Sequence, residues 1–262
     1  MNMVTSVDGT AIAYERTGEG SPLVLIHGST ADHSRWQPIL PALEQDFTVY
    51  AVDPPGRGGS GDAESYALER EFEDVAAVVD SIGEPVNLLG HSYGALCSLG
   101  AAPLTRNLRT LALYEPPIAV RGHAILSAET LSQLQALVAD GENEEALIFF
   151  FREVARMAPK QIEVLRMAPN WPARVEAAAR TIVREAEAPP AYDFIPERFA
   201  AVTTPTLLLL GSESPQFMAD ATVAVSEALP NSRIVTLEGQ EHVAMNTAPD
   251  LFVRTVVEFL RA

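Results

Sequence analysis

Short apolar runs, each stopped by glycine, proline or a polar residue, constrain this chain more than any other feature: PLVLIHG, FTVYAVDPPG, PVNLLGHS and LRTLALYEP. Each has the length of a strand and is too short for a core helix. Being apolar at successive positions, each suits a parallel strand buried on both faces. Between them, ALEREFEDVAAVVDSIG places Leu68, Phe72, Val75, Val79 and Ile82 at spacings of three and four, one face of a helix. VTSVDGTAIAYERTG reads as a hairpin turning at Asp8-Gly9. The alternation predicts an α/β protein with a mainly parallel, doubly wound sheet.

The pattern breaks from Ile118 to Ala200, where SAETLSQLQALVAD, EEALIFFFREVARM, PKQIEVLRM and PARVEAAARTIVREAE read as helices with no strand among them. Strand–helix order resumes with TPTLLLLGSES, SRIVTLEG and the terminal PDLFVRTVVEFLRA. A helical excursion between strands of one sheet predicts a cap, residues 118–200, inserted in a core of residues 1–117 and 201–262. With 262 residues, 47% of them hydrophobic, the chain can fill one large α/β core. A net charge of −17 repels phosphate backbones and anionic lipid, so neither nucleic acid nor membrane is expected as a partner. The start, MNMVTSVDGT, lacks a basic segment followed by an apolar one, and Cys97 is the only cysteine; both fit a cytoplasmic protein.

LLGHSYGALCSLG carries the chemistry. Gly90-His91-Ser92-Tyr93-Gly94 matches G-x-S-x-G between a strand and a small-residue helix, a strained turn that pushes the Ser92 hydroxyl outward. The Tyr93 N–H, at a helix N-terminus, can stabilise a developing oxyanion. A serine needs a base, and there are 5 histidines. His91 lies inside the turn and is expected to point away from Ser92; His27 sits in the HG turn; His33 and His123 are expected in surface loops. His242, in GQEHVAMNTAPD, follows the last strand and opens on the same sheet edge as Ser92, which makes it the candidate base. In HGST, the N–H of Ser29, or else of Gly28, is the second candidate oxyanion donor. PGRGGSGD satisfies G-x-G-x-x-G but opens no helix directly, so a tight structural turn beside the site is expected rather than a dinucleotide cradle. No cluster has metal-ligand spacing, and Cys97 reads as a core residue.

Together these residues resemble the α/β-hydrolase superfamily: HG after the third strand, D-P-P-G-R-G-G-S after the fourth, GHSYG, a helical cap and a late GQEH. The resemblance implies an eight-stranded sheet, a Ser–His–acid triad, no cofactor, and a substrate pocket between sheet and cap. One element departs. Most relatives carry an aspartate in a turn after the seventh strand; here that turn reads Gly211-Ser212-Glu213-Ser214-Pro215, with Ser214 at the usual acid position. Some members, including certain lactone hydrolases, place the acid after the sixth strand, where Glu115 precedes Pro116-Pro117. Glu115 is therefore the expected acid and Glu213 its rival.

A serine nucleophile disfavours the carboxylate-nucleophile chemistries of this fold and leaves acyl transfer to water, on an ester or lactone first and on a carbon–carbon or amide bond less often. Phe149, Phe150, Phe151, Met157, Leu165, Met167 and Trp171 in the cap suggest an apolar small-molecule substrate, with Trp36, Phe150 and Trp171 as expected pocket residues. Two alternatives stand beside the hydrolase. One is a catalytically silent fold that binds a small ligand, suggested by the missing aspartate; the other is cofactor-free perhydrolysis or lyase chemistry on the same triad. Oligomeric state does not follow from the sequence.

Overall fold

The computed structural model describes residues 1–63, 65–120 and 125–261. Strands β1 (Asn2–Thr5) and β2 (Ala11–Thr17) pair antiparallel, with Asn2 opposite Tyr14. At the turn between them, Gly9 has φ of 92° and Asp8 accepts the Thr10 N–H at 2.8 Å. The apolar runs become β3 (Ser21–Ile26), β4 (Phe47–Asp53), β5 (Val86–His91) and β6 (Leu108–Tyr114), followed later by β7 (Thr206–Gly211) and β8 (Ser232–Leu237). The helices around the first six strands are α1 (Leu40–Leu43), α2 (Leu68–Ser81) and α3 (Tyr93–Ala101). The excursion holds α4 (Ala128–Ala139), α5 (Asn143–Phe149), α6 (Pro159–Arg166), α7 (Trp171–Ala179) and α8 (Ile182–Ala191), and the end holds α9 (Gln216–Ala228), α10 (Ala244–Thr247) and α11 (Pro249–Leu260).

The strands form one eight-stranded sheet in the order β1-β2-β4-β3-β5-β6-β7-β8, antiparallel at β1/β2 and β2/β4 and parallel elsewhere. Successive side chains of a strand point to opposite faces, so each central strand feeds two cores. Val24 and Ile26 pack with Phe72, Val75, Val79 and Leu96 of α2 and α3. Leu23 and Leu25 pack with Leu43, Phe252 and Val256 of α1 and α11. Register decides what meets at the sheet's edge: Ile26 lies opposite Gly90, His91 opposite Tyr114, and Tyr114 opposite Leu209. The loops after β3, β5, β6 and β7 therefore emerge side by side.

The excursion is helical, with its own apolar cluster of Leu134, Leu147, Phe149, Ile162, Trp171 and Ile182. Two details differ from the sequence reading. PARVEAAARTIVREAE is not one helix but α7 and α8, broken at Arg180-Thr181, where the buried Thr181 hydroxyl accepts a hydrogen bond from Arg57 of the core. α8 also runs on through Pro189 and Pro190. The prolines fall in its last turn, so few carbonyls lose a donor, and the Tyr192 N–H still closes on Ala188 O at 3.0 Å.

One buried carboxylate opposes folding at neutral pH. Asp74 on α2 is almost fully buried and its pKa is pushed up to about 6, chiefly by desolvation and further by Asp8, Glu71 and Glu73, against the hydrogen bond from the Ser6 hydroxyl. A carboxyl whose folded pKa lies above its unfolded value makes the protein less stable as pH rises between the two. Asp74→Asn should raise Tm at pH 7 by about 2–4 °C. The gain should shrink as pH falls through 6 and vanish near 4; a pH-independent gain in thermal melts would assign the effect to packing instead.

Candidate active site

Ser92 joins β5 to α3 with φ of 54° and ψ of −124°. A non-glycine residue held there costs about 1–3 kcal/mol, which the surrounding structure must impose. The Ser92 N–H donates to Tyr114 O at 2.8 Å, and Ser92 O accepts from Ala95 N–H at 2.8 Å. Space for the turn comes from missing side chains. A Cβ at Gly90 would stand 2.5 Å from Gly94 O, and one at Gly94 would stand 2.3 Å from Ile26 O. Tyr93 begins α3, so its N–H is among the first-turn donors with no partner inside the helix.

Glu115 leaves β6 with φ of 49° and is 0% exposed. Its N–H reaches Leu209 O at 3.2 Å, Oε1 accepts the Gly211 N–H at 2.7 Å, and Oε2 lies 2.5 Å from His242 Nδ1. Both oxygens are thus committed, one to the end of β7 and one to the imidazole. The Glu213 side chain is exposed and accepts the Ser212 hydroxyl at 3.2 Å. Ser214, at the position where relatives carry aspartate, has a buried hydroxyl with no partner among the described residues. Of the two rival carboxylates, it is Glu115 that touches His242.

The loop bearing His242 is pinned from below. The Tyr114 hydroxyl donates to Glu241 O and accepts the Ala244 N–H at 3.2 Å, gripping the chain on both sides of His242. His91 turns its ring toward His242, with centroids 4.7 Å apart, and its Nε2 is 2.8 Å from His242 O. A carbonyl only accepts, so His91 carries its proton on Nε2. Burial, with repulsion from His242, pushes its pKa well below the ordinary histidine value and keeps it neutral. Tyr114→Phe deletes both grips while keeping the ring. It should lower kcat by about ten- to hundredfold with a smaller change in KM, since misplacing a base by about 1 Å costs that much. Equal kcat for the two proteins would mean that the loop holds itself.

Ser29, Ser92 and His242 line one cavity of about 510 Å³ under the helical excursion. No direct hydrogen bond joins the Ser92 hydroxyl to His242 among the described residues; such contacts often close only when substrate is bound. Phe150, Phe151, Met157 and Leu165 line the cavity. Trp36 and Trp171 do not. Trp36 is 0% exposed among Leu23, Leu43 and Phe252 under the sheet, because its short 3-10 turn, His33–Trp36, points the indole into that core. Trp171 is buried in the helical cluster, its indole N–H donating to Glu144 Oε1 at 2.9 Å. Phe149 joins the same cluster, and Met167 is 83% exposed.

The remaining histidines correct the sequence reading in part. His33 is not a free loop residue: its backbone N–H and Nδ1 reach Asp53 Oδ1 at 2.7 and 3.0 Å. His27 is buried, its pKa pushed down to about 4 chiefly by burial, with Nδ1 2.8 Å from Gly28 O. His123 lies outside the described residues. The PGRGG segment is a tight turn, closed by Arg57 N–H to Pro54 O at 3.0 Å and Ser60 N–H to Arg57 O at 2.9 Å. Its Arg57 is buried in an ion pair with Glu185 of α8, which also accepts the Thr30 N–H at 3.1 Å. The sequence reading missed Tyr114, Arg35, Arg174 and Glu185. Only the register of β6 pointed toward Tyr114, and nothing local in the sequence marks the other three.

Residues 23–255 match the alpha/beta hydrolase family. A curated relative, the (E)-2-((N-methylformamido)methylene)succinate hydrolase of Acinetobacter baylyi, is 27% identical over 246 residues, 90% of this chain and 89% of that one. The crystal structure of an alpha/beta hydrolase from Sphaerobacter thermophilus is similar at 36% identity with a TM-score of 0.85, covering 99% of this chain and 100% of the other. An esterase from Rhodococcus sp. is similar at 25% identity and a TM-score of 0.74, covering 100% and 98%. Among the described residues, no helix is long and apolar enough to cross a membrane, and no group of three or more His, Cys, Asp and Glu could hold a metal ion.

Proposed function

This chain belongs to the alpha/beta hydrolase family, and from that premise we propose that it is a serine hydrolase of small-molecule carboxylic esters or lactones, working through an acyl-enzyme on Ser92, His242 and Glu115. The observation that carries the reading is the buried Glu115 carboxylate on Nδ1 of His242, a histidine that lines the same cavity as Ser92. Accepting that bond fixes the imidazole with its proton on Nδ1 and leaves Nε2 as a base. Ser92 Oγ attacks the substrate carbonyl while Nε2 takes its proton. The N–H groups of Ser29 and Tyr93 hold the oxyanion, the latter aided by the N-terminus of α3. The imidazolium, stabilised by Glu115, returns the proton to the leaving alcohol, and water then releases the acid by the same steps. In a lactone the leaving alcohol stays attached, and the ring opens.

The missing seventh-strand aspartate was the reason to consider a silent binding fold. Glu115 at His242 offers a carboxylate in place of that aspartate, which supports the hydrolase reading over the silent one. A fluorophosphonate should label the folded protein once, on the Ser92 peptide, as mapped by mass spectrometry; absence of label at neutral pH would restore the binding reading. The cavity wall of Phe150, Phe151, Met157 and Leu165 further predicts a chain-length preference. At about 0.8 kcal/mol per buried methylene, kcat/KM should rise at least about tenfold from 4-nitrophenyl acetate to the hexanoate. Acetate turning over best would count against an apolar acyl site.

A further inference from the structure

Two arginines of the cavity stand out because no carboxylate is in salt-bridge contact with either of them among the described residues. Arg35, beyond β3, and Arg174, on α7, both line it together with Ser29, Ser92 and His242. Arg35 spends one N–H on the Met245 thioether at 3.4 Å, a weak acceptor. Arg174 spends two on Thr30, with Nε 3.0 Å from its carbonyl and a terminal nitrogen 3.3 Å from its hydroxyl. A guanidinium carries five N–H donors, so most of each fork is uncommitted. Asp32 is the carboxylate that acts on Arg174, yet it is engaged with the Ser34 N–H at 2.9 Å.

This arrangement is costly when the cavity is empty. Burial pushes both guanidinium groups down to about 10, and Arg174 repels Arg35, so both remain charged at neutral pH. Arg174 is offset in part by Asp32 and by the Phe151 ring, whose centroid lies 4.9 Å from the guanidinium carbon, contacts that occupy none of its N–H donors. The protein has 35 acidic against 18 basic residues, yet the cavity lining reverses that balance: Arg35, Lys160 and Arg174 face a single carboxylate, Glu185. That one is already taken by Arg57 and the Thr30 N–H. Buried like charges on a shared apolar wall, with free planar forks, match an anion that itself carries an apolar body. A carboxylate presents one planar pair of oxygens that a guanidinium fork matches, and an aliphatic acid brings an apolar body for the rest of the wall.

We propose that Arg35 and Arg174 anchor a free carboxylate of the substrate, so that the preferred substrate is a half-ester of a dicarboxylic acid, or a lactone bearing a carboxylate. The assignment rests on the hydrolase reading above and narrows its substrate class. Arg174 also ties α7 to the Thr30 carbonyl, one residue from the Ser29 oxyanion donor, so anchoring the carboxylate steadies the same loop that faces the reacting carbonyl.

The test compares the 4-nitrophenyl half-ester of glutaric acid with its neutral methyl-capped counterpart at constant ionic strength. Wild type should favour the half-ester in kcat/KM by at least about tenfold, the worth of one charge-assisted hydrogen bond. Arg35→Gln should reduce that ratio at least about tenfold, mainly through KM. Hexanoate should inhibit wild type competitively and at least about tenfold more tightly than hexanol, with inorganic phosphate weaker than either; this arm needs no variant. Equal rates on both esters, or hexanol or phosphate inhibiting as well as hexanoate, would overturn the anchor while leaving the hydrolase standing. If neither ester turned over, the hydrolase reading would fail. The anchor would then be decided by calorimetry, hexanoate binding to wild type and not to Arg35→Gln supporting it, and no binding to wild type ending it.

Discussion

Ser92→Ala should lose about 10⁶ in kcat on any ester the wild type hydrolyses. The hydroxyl is the only atom of the turn that can form the acyl bond, and its φ of 54° is a strain with no structural return of its own. The variant should keep its Tm within about 2 °C, because the strain belongs to the backbone and the Oγ makes no hydrogen bond among the described residues. Two features of the kinetics separate a triad from a general weakening. His242→Ala should cost a similar factor, and Ser92→Ala with His242→Ala should cost little more than either alone, since residues that act as a unit are not additive. Initial rates under excess enzyme check both. A single variant retaining more than about a hundredth of wild-type kcat, or two losses that multiply, would mean that the reacting groups lie elsewhere.

Glu115→Gln should cost at least about 10² and up to about 10⁴ in kcat, whereas Glu213→Gln should cost less than about tenfold. The physical reason lies in which atoms the amide presents. Glutamine can keep the Gly211 N–H on its carbonyl oxygen, as Glu115 Oε1 does at 2.7 Å. Its NH₂ group then faces His242 Nδ1, where Oε2 now lies at 2.5 Å. A donor there forces the imidazole proton onto Nε2, the atom that must be free to take the Ser92 proton. The fold is retained and the tautomer is wrong. Glu213 is exposed and holds the neighbouring Ser212, so its charge is screened and its loss is mild. A ranking with Glu213→Gln the more damaging would move the acid to the seventh-strand turn, and two mild effects would leave the histidine without a carboxylate.

Much of the core was legible because it is written in local patterns. Runs apolar at successive positions became β3 to β7, and the Leu68, Phe72, Val75, Val79 stripe became the buried face of α2. GHSYG could be placed because its pattern is local, Gly90 being required by the backbone at Gly94, although Gly94 itself is required by the distant Ile26 carbonyl. The helical excursion was legible as helix but not in detail. Its break at Thr181 is set by Arg57, a residue 124 positions away, and nothing within PARVEAAARTIVREAE marks it. The same distance hid the pocket. Aromatic residues at helical spacing do not reveal which face meets the core: Phe149, Phe150, Phe151 and Trp171 all joined the helical cluster, and of these Phe150 and Phe151 also line the cavity.

The sequence by itself determined the α/β alternation, the strained serine turn, and the candidacy of His242 and of two glutamates, because each depends on neighbours in the chain. It left Glu115 and Glu213 as rivals, since both follow strands at the same edge. Tertiary structure decided between them as partners of His242. β6 lies between β5 and β7, so a residue leaving β6 can reach the Gly211 N–H on one side and the imidazole above, while the side chain at Glu213 turns to solvent. The same holds for Arg35 and Arg174, 139 positions apart, two ordinary arginines in the sequence. Only folding α7 over the loop beyond β3 places both charges in one apolar cavity, with no carboxylate in salt-bridge contact among the described residues.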